Sequence, residues 1–454
     1  MTASWGESTD AARMAAAELL RQVQEDDAYA NLALPGVLAS FKLQAREAAF
    51  ATELAYGTLR WQGLYDAVLQ ACITGDPQRV EPSTRILLRM GCHQVLGMRV
   101  PVHAAVSSTV ALAKGRSARA EARAGFVNGV LRAVCRHGLD EWLRRLDLQP
   151  AVRTDQLAIR WSHPAWIVRA FADALGPRRD ELPDLLSADN LAARPALVAR
   201  PGRISVEELL DQPGVVPGRW SPLGGILSSG TPQALACVRS GDVGVQDEGS
   251  QLVALALARA PISSSAGTWL DACAGPGGKA ALLAGLASQQ GAQLVAVEAR
   301  AHRARLVRAV LPEEGVEVIE GDARTSPWGD RRFDRVLVDA PCTGIGALRR
   351  RPEARWRRSA SDLVTLGPLQ RDLLHAGMQA TAPGGVLAYV TCSPHLAETE
   401  AVVQDLLGRE HGWSMLEAPS LLPEVPDSAC GSFVQLWPHR HGTDAMFLAV
   451  LLRR

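Results

Sequence analysis

The feature that most restricts the fold is a set of apolar segments that do not alternate with polar residues. They lie at residues 268–270, 294–297, 316–319, 335–338 and 386–390 and are rich in Val, Leu and Ala. A strand open to water on one face alternates; a strand covered on both faces does not. Between them run segments of helical periodicity, 250–259, from Ala280, 301–310 and 363–381. Repeated strand–helix alternation predicts a doubly wound parallel α/β sheet, whose ligands sit beyond the carboxyl ends of the strands.

The chain ahead of this region reads differently. Residues 8–145 show helical spacing throughout, as in Leu19 and Val23, Phe50 and Leu54, Ile86 and Met90, and Val130 and Val134. Breaks are expected at Pro35-Gly36, Gly75-Asp76-Pro77, Pro82 and Pro101. An all-α helical bundle is predicted here. Residues 150–245 are mixed: a helix over 165–175, strands at 196–200 and 225–227, and a helix opening at Ser205 with Glu208 as its capping-box partner. This stretch is expected to be a small α+β module, followed by the α/β domain over 246–454. A length of 454 residues suits roughly three domains.

The 48 basic and 48 acidic residues cancel, so net charge advertises no partner. Local charge does not cancel. Arg99, Lys114, Arg116, Arg119, Arg123, Arg132 and Arg136 stand against Glu121 alone, and Arg349, Arg350, Arg351, Arg355, Arg357 and Arg358 surround Trp356. The first cluster reads as a solvated face or an RNA-binding face. No apolar run approaches the roughly 20 residues of a membrane span. Met1–Asp10 is polar and lacks the pattern of a signal peptide. A cytoplasmic protein without membrane contact is expected. The eight cysteines include no C-x-x-C pair, so neither zinc nor a disulfide framework is expected, and no metal. His163, His439 and His441 lack clustered partners and are read as structural.

At the predicted strand ends stand residues that suit a nucleoside-type cofactor. Gly275, Gly277 and Gly278 permit a tight turn before a helix N-terminus. Glu298, Asp322 and Asp339 close the next three strands, where an acid can accept from a ribose diol or an adenine amino group. The spacing is neither that of a phosphate loop nor that of a dinucleotide fingerprint. Cys342, in Asp339-Ala340-Pro341-Cys342-Thr343-Gly344, and Cys392, in Thr391-Cys392-Ser393, follow adjacent strands and face the same crevice.

These motifs, with Asp271–Lys279, resemble those of the RNA cytosine-C5 methyltransferases. Ser162-His163-Pro164, Gln246-Asp247 and Gly442–Phe447 are similar to that family too. The helical region resembles the NusB-type RNA-binding bundle in residues 53–60, 101–106 and 125–132. That fusion is found among family members acting on small-subunit ribosomal RNA. The resemblance implies a Rossmann-like catalytic domain using S-adenosylmethionine, with 16S ribosomal RNA as partner; separately, a monomer is expected. It implies Cys392 as nucleophile toward C6 of cytosine, Cys342 as the thiol that resolves the adduct, and Asp339 and Lys279 as supporting catalytic groups. The implied cofactor set is Cys273, Ala274, Gly275, Pro276, Gly277, Gly278, Lys279, Glu298, Arg303, Asp322 and Asp339. Arg349, Arg350, Arg351, Arg355 and Trp356, directly after Cys342, are expected to grip RNA. Departures from the family pattern are Ala274-Gly275-Pro276, Glu298 in place of the usual Asp, and Gly344–Leu348. Transfer RNA, another ribosomal site, or a non-catalytic RNA-binding antitermination factor remain open at this level.

Overall fold

The computed structural model describes residues 10–114, 117–149, 153–265 and 267–454. The polar segment 1–9 and Arg116 of the basic stretch lie outside the described residues. The chain divides into two compact units: one runs to Arg169 and adds Leu348–Arg357, and the other takes Ala170–Ala347 and Arg358–Arg454.

The first unit is helical. Its longer helices are Ala11–Glu25, Ala30–Ser40, Ala45–Arg60, Gln62–Cys72, Pro82–Cys92, Val102–Ala113 and Ala118–Val134. Asp10 opens the first by accepting from the Arg13 amide at 3.0 Å. The helices meet over Leu19, Leu54, Leu87, Leu112 and Leu131, all with 0% exposure. Each such burial contributes about 1.5–3 kcal/mol. The break expected at Pro35-Gly36 is absent, because Pro35 lies inside the helix Ala30–Ser40. The carbonyl that Pro35 leaves without a donor belongs to the exposed Asn31, where water can serve it.

The second unit holds two sheets. Strands β1 (Ala196–Ala199), β2 (Val215–Pro217), β3 (Gly224–Leu227) and β4 (Val243–Val245) pair antiparallel in the order β2-β3-β1-β4. The capping box at Ser205 and Glu208 opens the helix Val206–Leu210 beside them. Leu197 and Ala199 join this sheet's own core, whereas Val198 enters the core of the larger sheet. The expected middle module is therefore divided. Residues 153–169 pack with the helical unit, and the small sheet belongs with the catalytic region.

The large sheet contains β5 (Thr268–Asp271), β6 (Gln293–Glu298), β7 (Val316–Glu320), β8 (Phe333–Asp339), β9 (Thr381–Thr391), β10 (Trp413–Met415), β11 (Ala429–Cys430), β12 (Phe433–Gln435) and β13 (Phe447–Arg453). Its order is β11-β12-β13-β9-β8-β5-β6-β7, with β10 paired to β13. Strands β5 to β9 run parallel, as their uninterrupted apolar character predicts. Trp269, Leu294, Leu337 and Ala388 feed one face, and Leu270, Val295, Val336 and Leu387 the other. The antiparallel extension β10–β13 was not expected. It gives β9 a covered edge.

Candidate active site

Because β8, β5, β6 and β7 are parallel neighbours, their carboxyl ends form one edge, and four acids occupy it. Asp339 ends β8, Asp271 ends β5, Glu298 ends β6, and Asp322 follows β7 after one glycine. Cys392 follows β9, the next strand along, and Cys342 stands three residues after Asp339.

The turn after β5 is built for a close approach. A Cβ at Gly275 would lie 2.1 Å from Glu298 Oε2, and one at Gly277 would lie 2.4 Å from Val310 Cγ2. Gly277 also has φ of +114°, open to glycine but not to ordinary side chains. The Gly275 amide donates to Glu298 Oε2 at 3.1 Å, Arg303 donates to the Gly275 carbonyl, and the Arg300 amide donates to Glu298 Oε1 at 2.9 Å. The Gly275–Pro276 peptide is cis. The helix Gly278–Gln289 then begins, its first amides without partners inside the helix. Cys273 and Ala274 complete the turn, the Cys273 amide donating to Asp271 Oδ1 at 3.2 Å.

Asp271 is 1% exposed and its Oδ2 has no hydrogen-bond partner. Burial, and then the charge of Asp339, push its carboxyl up to about 7. Asp322 is differently placed. Both its oxygens accept from Arg324, at 2.6 Å for the closest pair, which holds the carboxyl below its usual range.

The two cysteine sulfurs lie 3.5 Å apart, each half-buried. Lys279 donates to Asp339 Oδ2 at 2.9 Å; burial opposes its charge, but Asp339 more than offsets this and the ammonium is held on. A hydrogen bond from Cys342, with Lys279 adding to it, lowers the Cys392 thiol below its ordinary value. Its contact with Cys392, together with burial, raises the Cys342 thiol well above that value. Of the two thiols, Cys392 is therefore the one that gives up its proton more readily. The Gly346 amide donates to the Cys392 carbonyl at 2.9 Å, and a Cβ there would meet Ala445 O at 2.2 Å. The terminal motif thus closes the back of the Cys392 turn.

Residues 260–452 match the family model described as 16S rRNA methyltransferase RsmB/F, and residues 10–136 match the NusB family. A relative in Mycobacterium tuberculosis, the methyltransferase Rv1407, is 50% identical over 447 residues, covering 98% of this chain and 97% of that protein. Ribosomal RNA small subunit methyltransferase B of Pseudomonas putida is 34% identical, covering 88% and 89%. The chain belongs to the RsmB/F methyltransferase family. The solved structure of PH0851 shares its fold, with a TM-score of 0.79 over 98% of this chain at 23% identity. The helical unit is the NusB region of this architecture, and the large sheet carries the Rossmann-like methyltransferase domain.

The arginine segment needs correction. Arg355 is 0% exposed and donates to the carbonyls of Arg60, at 3.2 Å, and Ser162, at 2.9 Å. The Trp356 indole donates to Leu59 O at 3.2 Å. Arg355 is committed to the helical unit and cannot grip RNA as expected, whereas Trp356 engages its indole N–H there with its ring half-buried. Arg351 is half-buried, its guanidinium 5.9 Å from the Tyr29 ring. Arg349 is half-buried and Arg350 exposed. His163, His439 and His441 contact the Trp161 carbonyl, Glu181 and the Pro426 carbonyl, respectively. Among the described residues no group of His, Cys, Asp and Glu is arranged to hold a metal, and no helix is long and apolar enough to cross a membrane.

Sequence reasoning missed Asp271 as a titrating group, although it lies inside the quoted motif. It also missed Glu398, for which spacing offered no signal.

Proposed function

We propose that the chain methylates C5 of a cytosine in 16S ribosomal RNA through a covalent bond between Cys392 and C6. The observation that carries this reading is the contact between the two sulfurs, beside the Lys279–Asp339 pair and on the edge that bears the acids and the glycine turn. The ribosomal substrate rests on the family description and on the name of the Pseudomonas putida relative.

The residues present fit S-adenosylmethionine. At Gly278 an added Cβ would meet nothing nearer than 4.0 Å, so the backbone is open to a ligand there, and helix amides without partners favour a carboxylate. Glu298 and Asp322 would accept from its ribose and base, and Cys273 to Gly278 with Arg303 would hold the rest of it. When bound, this cofactor supplies a methyl group on a positively charged sulfur. The protein must supply an activated C5.

Cys392 does this as a thiolate. Its sulfur forms a bond to C6, the C5–C6 double bond opens, and electron density moves toward C5 and N3. Lys279 stabilises the thiolate before attack, and Asp339 holds the protonated N3 edge by accepting a hydrogen bond. After methylation C5 carries one proton too many. Cys342, its own proton having passed to solvent as N3 took one up from solvent, takes that one; the C5–C6 double bond re-forms, Cys392 leaves as thiolate and N3 returns its proton to solvent. A base inside a duplex cannot reach this edge, so the target must be unpaired or flipped out.

Cys392→Ala is expected to abolish turnover and any RNA adduct. Cys342→Ala should accumulate a protein–RNA adduct that survives denaturing electrophoresis. Normal turnover by Cys342→Ala, without adduct, would show that the roles are misassigned. Bisulfite sequencing of ribosomal RNA from a strain lacking the gene locates the target base.

A further inference from the structure

Behind the two cysteines lies a carboxylate with no part in the chemistry above. Glu398 is 0% exposed. Its Oε1 accepts from the Thr343 amide at 2.7 Å and from Gln370 Nε2 at 3.1 Å; its Oε2 accepts from Thr343 Oγ1 at 2.5 Å and Ser393 Oγ at 2.6 Å. All four donors are neutral. Four donors occupy the lone pairs of the carboxylate, so the cage satisfies both oxygens with hydrogen bonds alone.

The donors are not scattered. Thr343 directly follows Cys342 and Ser393 directly follows Cys392. Gln370, from the helix Asp362–Ala380, also donates to the carbonyl of Pro341 at 2.9 Å, on the other side of Cys342. Tyr389 fixes the clamp itself by donating to the Glu398 carbonyl at 2.9 Å. One buried side chain thus ties together the two turns that carry the sulfurs. The charges around the pair also differ: Asp339 acts on both sulfurs, Lys279 and Asp444 act in opposite senses on Cys392, and Glu398 acts on Cys342.

We propose that Glu398 is a positioning residue of the methyl-transfer site, holding the two sulfurs in contact with its carboxylate on the Cys342 side. This rests on Cys392 being the nucleophile. A negative charge on the Cys342 side disfavours a thiolate there before attack, so Cys392 is the sulfur that loses its proton more readily. The clamp also spares the sulfurs a search for their reacting geometry, a contribution that grows as the tolerance on atomic positions shrinks.

The test is Glu398→Gln, nearly isosteric but neutral, in the full-length protein. The kcat for RNA methylation should fall by roughly ten- to a hundredfold, with KM for S-adenosylmethionine and RNA within about twofold. In the same protein, at one pH near neutrality and without RNA, iodoacetamide labelling is read by mass spectrometry. The Cys392-to-Cys342 labelling ratio should drop by about tenfold, the change expected for one pKa unit. A merely structural role would not reverse that preference. An unchanged ratio overturns the proposal whatever kcat does, and so does a kcat within twofold of the parent. If Glu398→Gln does not fold, Ser393→Ala and Thr343→Val each remove one hydroxyl donor. Each should lower kcat by about threefold to tenfold at unchanged cofactor affinity, and wild-type kcat in both overturns the clamp. Cys392→Ala is the control. Activity in that variant defeats the underlying reading, whereas its inactivity beside a normal Glu398→Gln defeats only this inference.

Discussion

Residues 339–347 and 348–357 are consecutive in the chain and use polar side chains in opposite ways. The first stretch keeps its reactive atoms half-open: Asp339 reaches Lys279, and the Cys342 sulfur lies against that of Cys392. The second consumes its polar atoms on backbone carbonyls of the helical unit. Arg355 and Trp356 donate to the carbonyls of Arg60 and Leu59, the last two residues of the helix Ala45–Arg60. Arg357 donates to Val23 O at 2.9 Å, in the last turn of Ala11–Glu25, and to Ala28 O. Carbonyls in a last turn have no donor within their own helix and carry the negative end of its dipole. An arginine there is a helix cap. The contrast teaches that an arginine run beside a catalytic cysteine can be structural along part of its length, and that burial decides which part.

The largest effect follows from that contrast. Arg355→Ala strips the Arg60 and Ser162 carbonyls of their donor and leaves a void in a fully buried site. The helical unit should lose roughly 3 kcal/mol, seen as a melting transition about 6–12 °C lower by circular dichroism. The salt dependence of RNA binding should not move. A variant that melts normally but binds RNA with a flatter salt slope would break the comparison.

On the site side the matching test is Asp271. In the unfolded chain its carboxyl titrates near 3.9, about three units lower than in the fold. A group raised by folding favours the native state fully below its unfolded pKa, and that contribution is lost as pH rises through the folded value. The wild type should therefore lose stability between pH 4 and 7 by this route, and Asp271→Asn should not. With cofactor absent, the melting advantage of Asp271→Asn should be greater at pH 8 than at pH 5 by roughly 2 kcal/mol, half the full three-unit value. An equal difference at both pH values would mean that the buried carboxyl is paired, not strained.

What the sequence disclosed follows the same division. Strands β5, β6, β8 and β9 were legible because a strand covered on both faces carries no polar alternation, whereas β7, the edge strand Val-Glu-Val-Ile-Glu, is partly exposed; the helices Ala165–Leu175 and Ala301–Val310 were legible because their boundaries carry turn signals. The cysteines and the glycine turn were legible because their chemistry demands those residue types. The direction of β13 was not: Phe447–Arg453 is as apolar as a parallel strand, and only pairing with β9 distinguishes them. Nor was the fate of Arg355, since a buried arginine and a solvated one have the same letter and the same neighbours. Glu398 was hidden for a related reason. In Leu396-Ala397-Glu398-Thr399-Glu400 two glutamates look alike, and only the fold sends one of them under the cysteines.

The smallest expected effect is the most discriminating for the second stretch. Arg350 is exposed, unlike Arg355 five residues on. If any of this run still serves RNA, it is the part whose guanidinium can exchange a counterion for a phosphate. Arg350→Ala should lower the slope of log K against log salt by about one while shifting stability by less than about 0.5 kcal/mol. Binding measured between 50 and 200 mM salt, with the same RNA and with Arg355→Ala alongside, separates the two residues. A slope unchanged in Arg350→Ala would remove its phosphate contact and leave RNA affinity to other cations, of which Arg99, Arg119, Arg132 and Arg136 are exposed on the helical unit.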